Sequence, residues 1–399
     1  MIQRPLILAV VMLAASSSQV SVAEENKTTG FGGPEAVDNR IAKDKTDRDL
    51  PLKDQLAADG ISLAVDYSAV ALNANESLPG ADDSAAGGMV RFYGSWELLN
   101  RGETNVGSFI WKLEHRHAYS DTSVNNLIFG TGGLGMTTPP FSDQKGRLTN
   151  LYWKQRFNDG QSTVVAGFLD ATDYVDVYAV ASPWTGFMNF AFSTGTTTMA
   201  LPGDATLGAA AATLLGDQFF VIGGIVDMES DPTEPLDGFD TFFSDGHYFK
   251  TLELGWTASQ EQIYVDNIHI TLWDSDRSVQ MNQAEDSGVN ISASKMYGAW
   301  LPFVRAGVAD NGSLLGIDKS LSTGFAYYGL GNAANNLGVA INWADANADD
   351  DQLTLEAFYF IKVLPYLELT PDLQIIKNPV SNPAEDTIVI AGIRARIVY

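Results

Sequence analysis

An alternation of side-chain character with a period of two residues constrains the fold of this chain most strongly. In residues 353–363 every odd position is apolar or aromatic, whereas the even positions are mixed. Residues 389–399 repeat this pattern, with Arg394 and Arg396 on the face opposite the apolar one. An amphipathic helix would instead place apolar residues three and four positions apart. The alternation therefore predicts β-strands that have one apolar face and one polar face.

The same pattern recurs along most of the chain and predicts 16 strands. They span residues 61–73, 88–100, 105–119, 147–157, 161–170, 205–215, 218–228, 247–257, 262–273, 287–297, 301–309, 320–328, 336–343, 353–363, 366–376 and 386–399. Most reach the length of about 9–11 residues that a tilted strand needs to cross a bilayer.

The connections between these strands alternate in length. The short ones are residues 101–104, 158–160, 216–217, 258–261, 298–300, 329–335 and 364–365, and most are rich in Gly, Asn and Asp. The long ones are residues 74–87, 120–146, 171–204, 229–246, 274–286, 310–319, 344–352 and 377–385. Strict alternation with an even strand count is typical of outer-membrane barrels. It predicts an all-β fold, a 16-stranded antiparallel transmembrane β-barrel over residues 61–399. A secreted β-sandwich is the alternative, although nothing in a sandwich requires such alternation.

The N-terminal segment has the three parts of a secretory signal peptide within residues 1–23. Arg4 precedes an apolar stretch at residues 6–15, and Ser21, Val22 and Ala23 form a small-residue cleavage site. We expect cleavage after Ala23, and ten apolar residues are too few to span a bilayer. Residues 24–60 form a polar leader whose periplasmic end, residues 50–60, is predicted to be a short helix that stops at Gly60.

Composition excludes several classes of function. The chain carries 24 basic and 49 acidic residues, a formal net charge of −25, which repels phosphate backbones and argues against a nucleic-acid partner. It has no cysteine, so disulfide frameworks, thiolate metal sites and cysteine nucleophiles are excluded. No segment has 18 consecutive apolar residues, so no transmembrane helix is predicted.

The basic residues of the predicted strands collect on the polar face. If Trp111 and Leu113 face lipid, then Lys112, Glu114 and Arg116 face the interior of the barrel. The same alternation turns inward Arg91, Lys154, Arg156, Arg305, Arg394 and Arg396. A charge on the lipid face would cost about 2–4 kcal/mol at the midplane of the bilayer, which favours this orientation.

Such an interior suits a solute with many hydroxyl groups. Arginine offers a planar fork of donors and carboxylates offer acceptors, so neighbouring hydroxyls can be bridged. Aromatic faces can stack on the apolar side of a sugar ring. The alternative is that these charges pair with one another and only keep a pore wet.

Several stretches resemble the carbohydrate-selective porins of the OprB family. They are residues 112–117 (KLEHRH), 174–179 (YVDVYA), 181–184 (ASPW), 305–307 (RAG) and 367–379 (LELTPDLQIIKNP). The resemblance runs from about residue 50 to the C-terminal Tyr399, where family members commonly end in Phe. It implies an outer-membrane porin with 16 strands, passive uptake of sugars such as glucose, and inward-folded loops that narrow the pore.

On this basis we expect a pore-lining or sugar-binding set without metal or cofactor. It comprises Arg91, Lys112, Glu114, Arg116, Lys154, Arg156, Asp170, Trp184, Arg305, Arg394 and Arg396. Expected partners are sugars, outer-membrane lipid and the barrel-assembly machinery, the last through Tyr399; monomer and homotrimer both remain open. The alternatives are a nonselective or cation-preferring pore and a secreted β-sandwich lectin or hydrolase.

Two motifs resemble metal sites. His115 and His117 are two residues apart, a spacing that can chelate a metal ion. Because they share the face of Trp111 and Leu113, we expect them at an interface near the end of the strand instead. The spacing of Asp345, Asn347, Asp349 and Glu356 is that of a calcium loop, but the position that requires Gly is Asp350. A solvated acidic loop is the favoured interpretation.

Two other motifs resemble enzyme sites. Asp170, Asp173 and Asp176 could suggest glycoside hydrolysis, but nothing fixes the distance of about 5–10 Å that paired carboxylates need. The resemblance places them on a constriction loop. The glycine-rich residues 130–135 and 208–212 do not lie in a strand–loop–helix unit with a lysine, so no phosphate-binding loop is predicted.

Overall fold

The computed structural model describes residues 51–312, 314–346 and 350–399. The predicted signal peptide (residues 1–23) and the first part of the predicted leader (residues 24–50) lie outside the described residues.

The described residues form a closed antiparallel barrel of 16 strands. The strands are β1 Ile61–Ala74, β2 Ser84–Leu99, β3 Gly107–Ala118, β4 Lys145–Phe157, β5 Ser162–Leu169, β6 Thr206–Leu215, β7 Phe219–Asp227, β8 Tyr248–Thr257, β9 Asn267–Ser275, β10 Asp286–Ser294, β11 Trp300–Ala309, β12 Lys319–Tyr328, β13 Asn336–Asp345, β14 Gln352–Leu364, β15 Leu367–Lys377 and β16 Thr387–Val398. Each strand pairs with its sequence neighbours, and β1 pairs with β16 to close the barrel, with Tyr67 opposite Ile397. The predicted fold class is confirmed.

Some strand boundaries differ from the prediction. β2 begins at Ser84 rather than at residue 88, because a run of Ala and Gly that is a weak strand signal still pairs with β1. β9 begins at Asn267 rather than at residue 262, since Gln260–Gln262 forms a 3-10 turn. β10 ends at Ser294, three residues earlier than predicted.

The period of two appears as two faces of the barrel wall. Outward side chains include Phe92, Trp96, Leu113 and Ile393, each between 40% and 47% exposed, and they contribute to the apolar belt that faces lipid. Inward positions carry buried polar side chains such as Asn290. Lipid offers no hydrogen-bond partners, so the backbone N–H and C=O groups must pair within the protein, and the closed barrel pairs them between strands. The apolar belt then contacts the hydrocarbon of the bilayer.

Long and short connections alternate along most of the barrel, as predicted, and the long loops lie at one end of it. The exception is residues 346–351 between β13 and β14, which are one residue fewer than residues 329–335 between β12 and β13. Between β4 and β5 the chain reverses at Asn158, Asp159 and Gly160, whose φ angles are 54°, 53° and 79°. Asn, Asp and Gly tolerate this left-handed backbone better than other residues do, and such backbone matches the twist of a hairpin.

Helical segments are short. They are α1 Pro51–Ala58, α2 Leu127–Thr131 and α3 Gly238–Asp240, with 3-10 turns at Val124–Asn126, Ala171–Asp173, Phe190–Phe192, Thr194–Thr197, Pro235–Asp237 and Gln260–Gln262 and a π turn at Thr241–Asp245. The chain leaves α1 through Gly60, whose φ is 75°, as the sequence predicts. Within the described ranges, none of the helices has the length and apolar character needed to cross a membrane.

One long connection folds into the barrel instead of over its end. This inner loop, residues 170–205, joins β5 to β6. Its Tyr178 and Phe187 are buried against Phe303 of β11, and Phe187 also packs edge-to-face on Phe358 of β14 at 4.9 Å between ring centroids. The inner loop therefore has its own apolar contacts with the far wall and narrows the interior.

Candidate functional site

A buried ionic cluster fixes the middle of the inner loop to β9 and β11. Asp176, only 1% exposed, accepts a hydrogen bond from the guanidinium of Arg305 and lies 2.9 Å from Nε2 of His269. The backbone N–H of Gly195 donates to the same carboxylate at 2.7 Å. Burial alone would raise the pKa of Asp176, but the charge of Arg305 and the bonds from His269 and Gly195 lower it. The carboxylate thus stays ionised and holds the loop in place.

A second set of contacts fixes the inner loop to β14 and β16. The carboxylate of Glu356 accepts the backbone N–H groups of Met188 at 2.6 Å and Asn189 at 2.9 Å. Arg394 donates to the carbonyl oxygens of Pro183 and Gly186. Backbone groups of the inner loop that would otherwise be buried without partners are satisfied by polar side chains of the wall.

A third contact joins the inner loop to β2 through Trp184. The Arg91 guanidinium lies 3.8 Å from the centroid of the Trp184 ring, a cation–π contact. Arg91 donates through Nε to Asp66 at 2.9 Å, and Arg396 donates to the same carboxylate at 2.9 Å. Arg91, Asp66 and Arg396 are all buried, and both guanidinium groups are paired with the Asp66 carboxylate.

Between β3 and the inner loop lies a cavity of about 180 Å³, the lumen cavity. Its charged lining comprises Lys112, Glu114 and Arg116 of β3 and Asp170, Asp173 and Asp204 of the inner loop. Pro140, Val177, Trp184 and Phe190 add apolar lining. A second cavity of about 30 Å³ lies between β4, β6 and the start of the inner loop and is mostly apolar.

Opposite charges face one another across the lumen cavity. Arg116 donates to Asp204 at 2.7 Å and to Glu114 at 2.8 Å, and Arg147 of β4 lies 2.8 Å from Asp204. Burial acts to raise the pKa of Asp204, but the positive charges of Arg147, Arg116 and Lys112 hold it below its ordinary value. Cations of the wall thus keep this carboxylate of the inner loop charged.

Asp170 behaves differently. Burial and the nearby charge of Asp204 raise its pKa above the ordinary value, although Lys112 and Thr172 act in the opposite direction. Its Oδ1 accepts the backbone N–H of Thr172 at 3.0 Å and so begins the 3-10 turn at Ala171–Asp173. Asp170 is thus a carboxylate at the cavity that takes up a proton more readily than its neighbour Asp204.

The structure brings five of the eleven expected site residues together at the lumen cavity. They are Lys112, Glu114, Arg116, Asp170 and Trp184. Arg91, Arg305, Arg394 and Arg396 point inward, but they are buried against the inner loop or in ion pairs. Lys154 and Arg156 lie near the short-turn end of β4 and do not line the cavity.

Sequence reasoning missed two charged residues of this region, Arg147 and Asp204. It placed Asp173 on a constriction loop through the resemblance but did not include it among the expected site residues. Arg147 is 7% exposed and faces Glu114 across the β3–β4 ladder. A register shift opposite Lys112 and Leu113 changes which positions of β4 face inward. Alternation counted back from Trp153 would therefore turn Arg147 outward. Asp204 lies at the end of the irregular inner loop, where no alternation of side chains indicates an inward position.

The two sequence motifs that resemble metal sites lie in different places. Asn347 and Asp349 of the calcium-like spacing lie outside the described residues. His115 and His117 lie on the outer wall near the end of β3 that leads into a long loop. In the part of the chain that the structure describes, no group of three or more His, Asp or Glu residues is arranged to hold a metal ion.

Comparisons with known proteins identify the family of the chain and support its fold. The model of the carbohydrate-selective porin, OprB family, matches residues 116–399. The high-pH structure of Pseudomonas putida OprB is similar with a TM-score of 0.70 at 14% identity, covering 87% of this chain and 96% of that chain. The low-pH structure gives 0.53 at 13% identity, covering 87% and 95%.

A mutant of Rhodopseudomonas blastica porin gives a TM-score of 0.53 at 12% identity, covering 85% of this chain and 100% of that chain. At these identities the solved structures establish the fold only. A comparison with curated protein sequences found no match. Since the family match spans more than half of the chain, this outer-membrane barrel belongs to the carbohydrate-selective porins of the OprB family.

Proposed function

We propose that the chain conducts neutral monosaccharides such as glucose down their gradient through the lumen cavity. The observation that carries this proposal is the opposition of Lys112 and Arg116 on β3 to Asp170 and Asp173 on the inner loop. Donors on one wall and acceptors on the other can bridge neighbouring hydroxyls of a sugar. Because conduction requires weak binding, several partly satisfied polar groups suit the task better than one tight site.

We infer that Trp184 has a structural role beside the path and does not offer a free ring face on which a sugar can stack. One face of its ring is covered by Arg91, and Phe141 packs nearby at 5.9 Å between ring centroids. Phe190 and Pro140 supply other apolar surface at the cavity. We infer that these residues contact the apolar side of the sugar ring, while Arg91, Arg305, Arg394 and Arg396 hold the inner loop and the wall.

Liposome swelling with a panel of sugars tests this proposal. Lys112→Met and Asp170→Asn should each change the relative swelling rates of neutral sugars, because each removes a polar partner at the cavity. Lys154→Met is the matched control, since Lys154 belongs to the neighbouring strand but lies away from the cavity. Equal swelling rates across the panel, for wild type and for both cavity variants, would contradict the proposed sugar path and indicate a nonselective pore.

A cation-preferring pore is the second candidate, and the balance of charge at the cavity favours it. Two basic and four acidic side chains line the cavity, so cations are attracted to the narrow part of the interior. Reversal potentials across planar bilayers under a salt gradient measure this preference. A glucose channel should also show a saturable fall of ion current as sugar is added, whereas a general cation pore should not.

The remaining proposals concern chemistry, assembly and export. We infer that the protein breaks no bond, and turnover of model glycosides by the purified barrel would contradict this. Tyr399 is 66% exposed beside the β1–β16 closure and suits an assembly signal. Tyr399→Ala should slow insertion into the membrane, whereas Tyr399→Phe should not.

The N-terminal sequence of the mature protein tests cleavage after Ala23. Native mass spectrometry distinguishes a monomer from a homotrimer.

A further inference from the structure

The outer wall of β1–β3 carries a group of four polar side chains that the sugar path does not use. Tyr67 belongs to β1, His115 and His117 belong to β3, and Tyr119 follows β3 directly. His115 and Tyr119 are exposed, on the same face as apolar Leu113. We call these four residues the outer His–Tyr cluster. Polar side chains are unusual on this face, because the neighbouring outward side chains form the apolar surface that contacts lipid.

The two imidazoles of the outer His–Tyr cluster face each other through equivalent atoms. Nδ1 of His115 lies 3.4 Å from Nδ1 of His117. The other ring nitrogen of His117, Nε2, lies 3.1 Å from the hydroxyl of Tyr67 and 3.3 Å from that of Tyr119. The two Nδ1 atoms therefore lie within hydrogen-bond distance of each other, and the second nitrogen of His117 has oxygen partners.

Two glycines leave space for this arrangement. Gly88 of β2 is opposite His117, and a methyl group there would collide with the hydroxyls of Tyr67 and Tyr119. Gly146 of β4 is opposite His115, and a methyl group there would meet nothing within 4 Å. The neighbouring strands thus leave room for the cluster on one side and open space beside His115 on the other.

This geometry matches the bite of a transition-metal ion. Zinc binds imidazole nitrogen at about 2.0–2.1 Å, and tetrahedral angles then place two ligand nitrogens about 3.4 Å apart. A histidine that ligates a metal ion usually donates its second ring N–H to an oxygen, which fixes the ring. Tyr67 and Tyr119 provide such oxygens for His117. Imidazole pairs suit Zn²⁺, Ni²⁺ and Cu²⁺ rather than Mg²⁺ or Ca²⁺.

We propose that His115 and His117 form a chelating site for a divalent transition-metal ion on the outer wall of the barrel, ligating through Nδ1. The described residues offer no third His, Asp or Glu ligand in this group. Water therefore fills the other coordination positions, and the site binds reversibly. It lies on the outward face of β3, opposite to the face that carries Lys112 and Arg116, so it is separate from the sugar path.

Metal binding to the folded barrel in detergent tests the proposal, using protein without any added histidine tag. The chain has four histidines and no cysteine, so few other imidazole and no thiolate ligands compete for Ni²⁺ or Zn²⁺. Wild type should be retained on immobilised Ni²⁺ and should bind one Zn²⁺ in calorimetry. His115→Asn and His117→Asn should each lose both signals. The double variant Tyr67→Phe with Tyr119→Phe should weaken Zn²⁺ binding about tenfold or more, since it removes both oxygen partners of His117.

His247→Asn is the matched control, because His247 is a partly exposed histidine held by Glu229 elsewhere on the protein; it should keep retention and stoichiometry. The migration of unboiled samples on gels confirms that each variant is a folded barrel. Wild type that binds neither ion, a single variant at position 115 or 117 that binds as wild type does, or loss of binding in His247→Asn would each overturn the proposal.

Discussion

At the scale of single residues, Asp170 and Asp204, two of the four carboxylates that line the lumen cavity, differ in how readily they take up a proton. Asp204 is held ionised by Arg147, Arg116 and Lys112, whereas burial and the charge of Asp204 raise the pKa of Asp170. An ordinary Asp titrates near pH 4. As pH falls from neutral, Asp170 therefore gains its proton before Asp204 does, and the negative charge of the cavity decreases.

This difference predicts a pH-dependent ion preference. The cation-to-anion permeability ratio should decrease on acidification, beginning above the pH at which an ordinary Asp titrates, because a raised pKa moves protonation to higher pH. Reversal potentials measured from pH 7 downward provide the check. Asp170→Asn should have a lower ratio at neutral pH and should lack this step. An identical pH profile in wild type and Asp170→Asn would show that Asp170 does not set the charge of the path.

The same residues show what the sequence can and cannot predict. Alternation correctly turned Lys112, Glu114 and Arg116 inward, because a residue on a strand has only two faces and one of them must suit lipid. It could not indicate that Arg305 and Arg394 are covered by the inner loop, because those contacts join residues far apart along the chain. The separation is at least 112 positions for Arg305 and at least 208 for Arg394. Nor could it locate Arg147, whose orientation depends on a local register shift.

At the scale of elements, the inner loop is the part of the molecule that narrows the interior of the barrel. It carries no regular strand, and its backbone depends on side chains of the wall for hydrogen bonds. Glu356 alone accepts two backbone N–H groups, from Met188 and Asn189. The sequence predicted a long connection here, and the resemblance implied that it folds inward, but the anchors could be found only in three dimensions.

Glu356→Gln should loosen the inner loop. An amide has one acceptor oxygen and directs donors at the other backbone N–H. That buried N–H is left without a partner, which costs the loop about 1–3 kcal/mol of anchoring. Single-channel recordings should show a larger conductance, and swelling assays should show weaker discrimination among sugars. Glu261→Gln, on an exposed short turn between β8 and β9, should change neither. Unchanged conductance in Glu356→Gln would mean that other contacts suffice to hold the loop.

At the scale of the whole molecule, one alternating pattern serves both the bilayer and the interior. Ile393 lies near the middle of β16, opposite Ala71 and Pro371, and faces outward. Arg394, the next residue, faces inward and holds the inner loop. Adjacent residues thus belong to different environments, which is why the barrel could be predicted with most strand positions correct to a few residues.

Ile393→Lys should destabilise the barrel in lipid by about 2–4 kcal/mol, because it places a charge on the lipid face. Urea unfolding in vesicles measures this change, and Ile393→Val is the control of similar shape and polarity. A lysine variant as stable as the valine variant would show that this face is not in contact with acyl chains.

The central claim is that sugar passes between β3 and the inner loop through the lumen cavity. Because the chain has no cysteine, Ser182→Cys places a single thiol in the lining of that cavity, and Ser77→Cys places one in a long loop between β1 and β2. A bulky thiol reagent that forms a mixed disulfide should sharply reduce glucose flux through Ser182→Cys and leave Ser77→Cys unaffected, with recovery on reduction. Complete labelling of Ser182→Cys with undiminished glucose flux would place the path elsewhere and contradict the account.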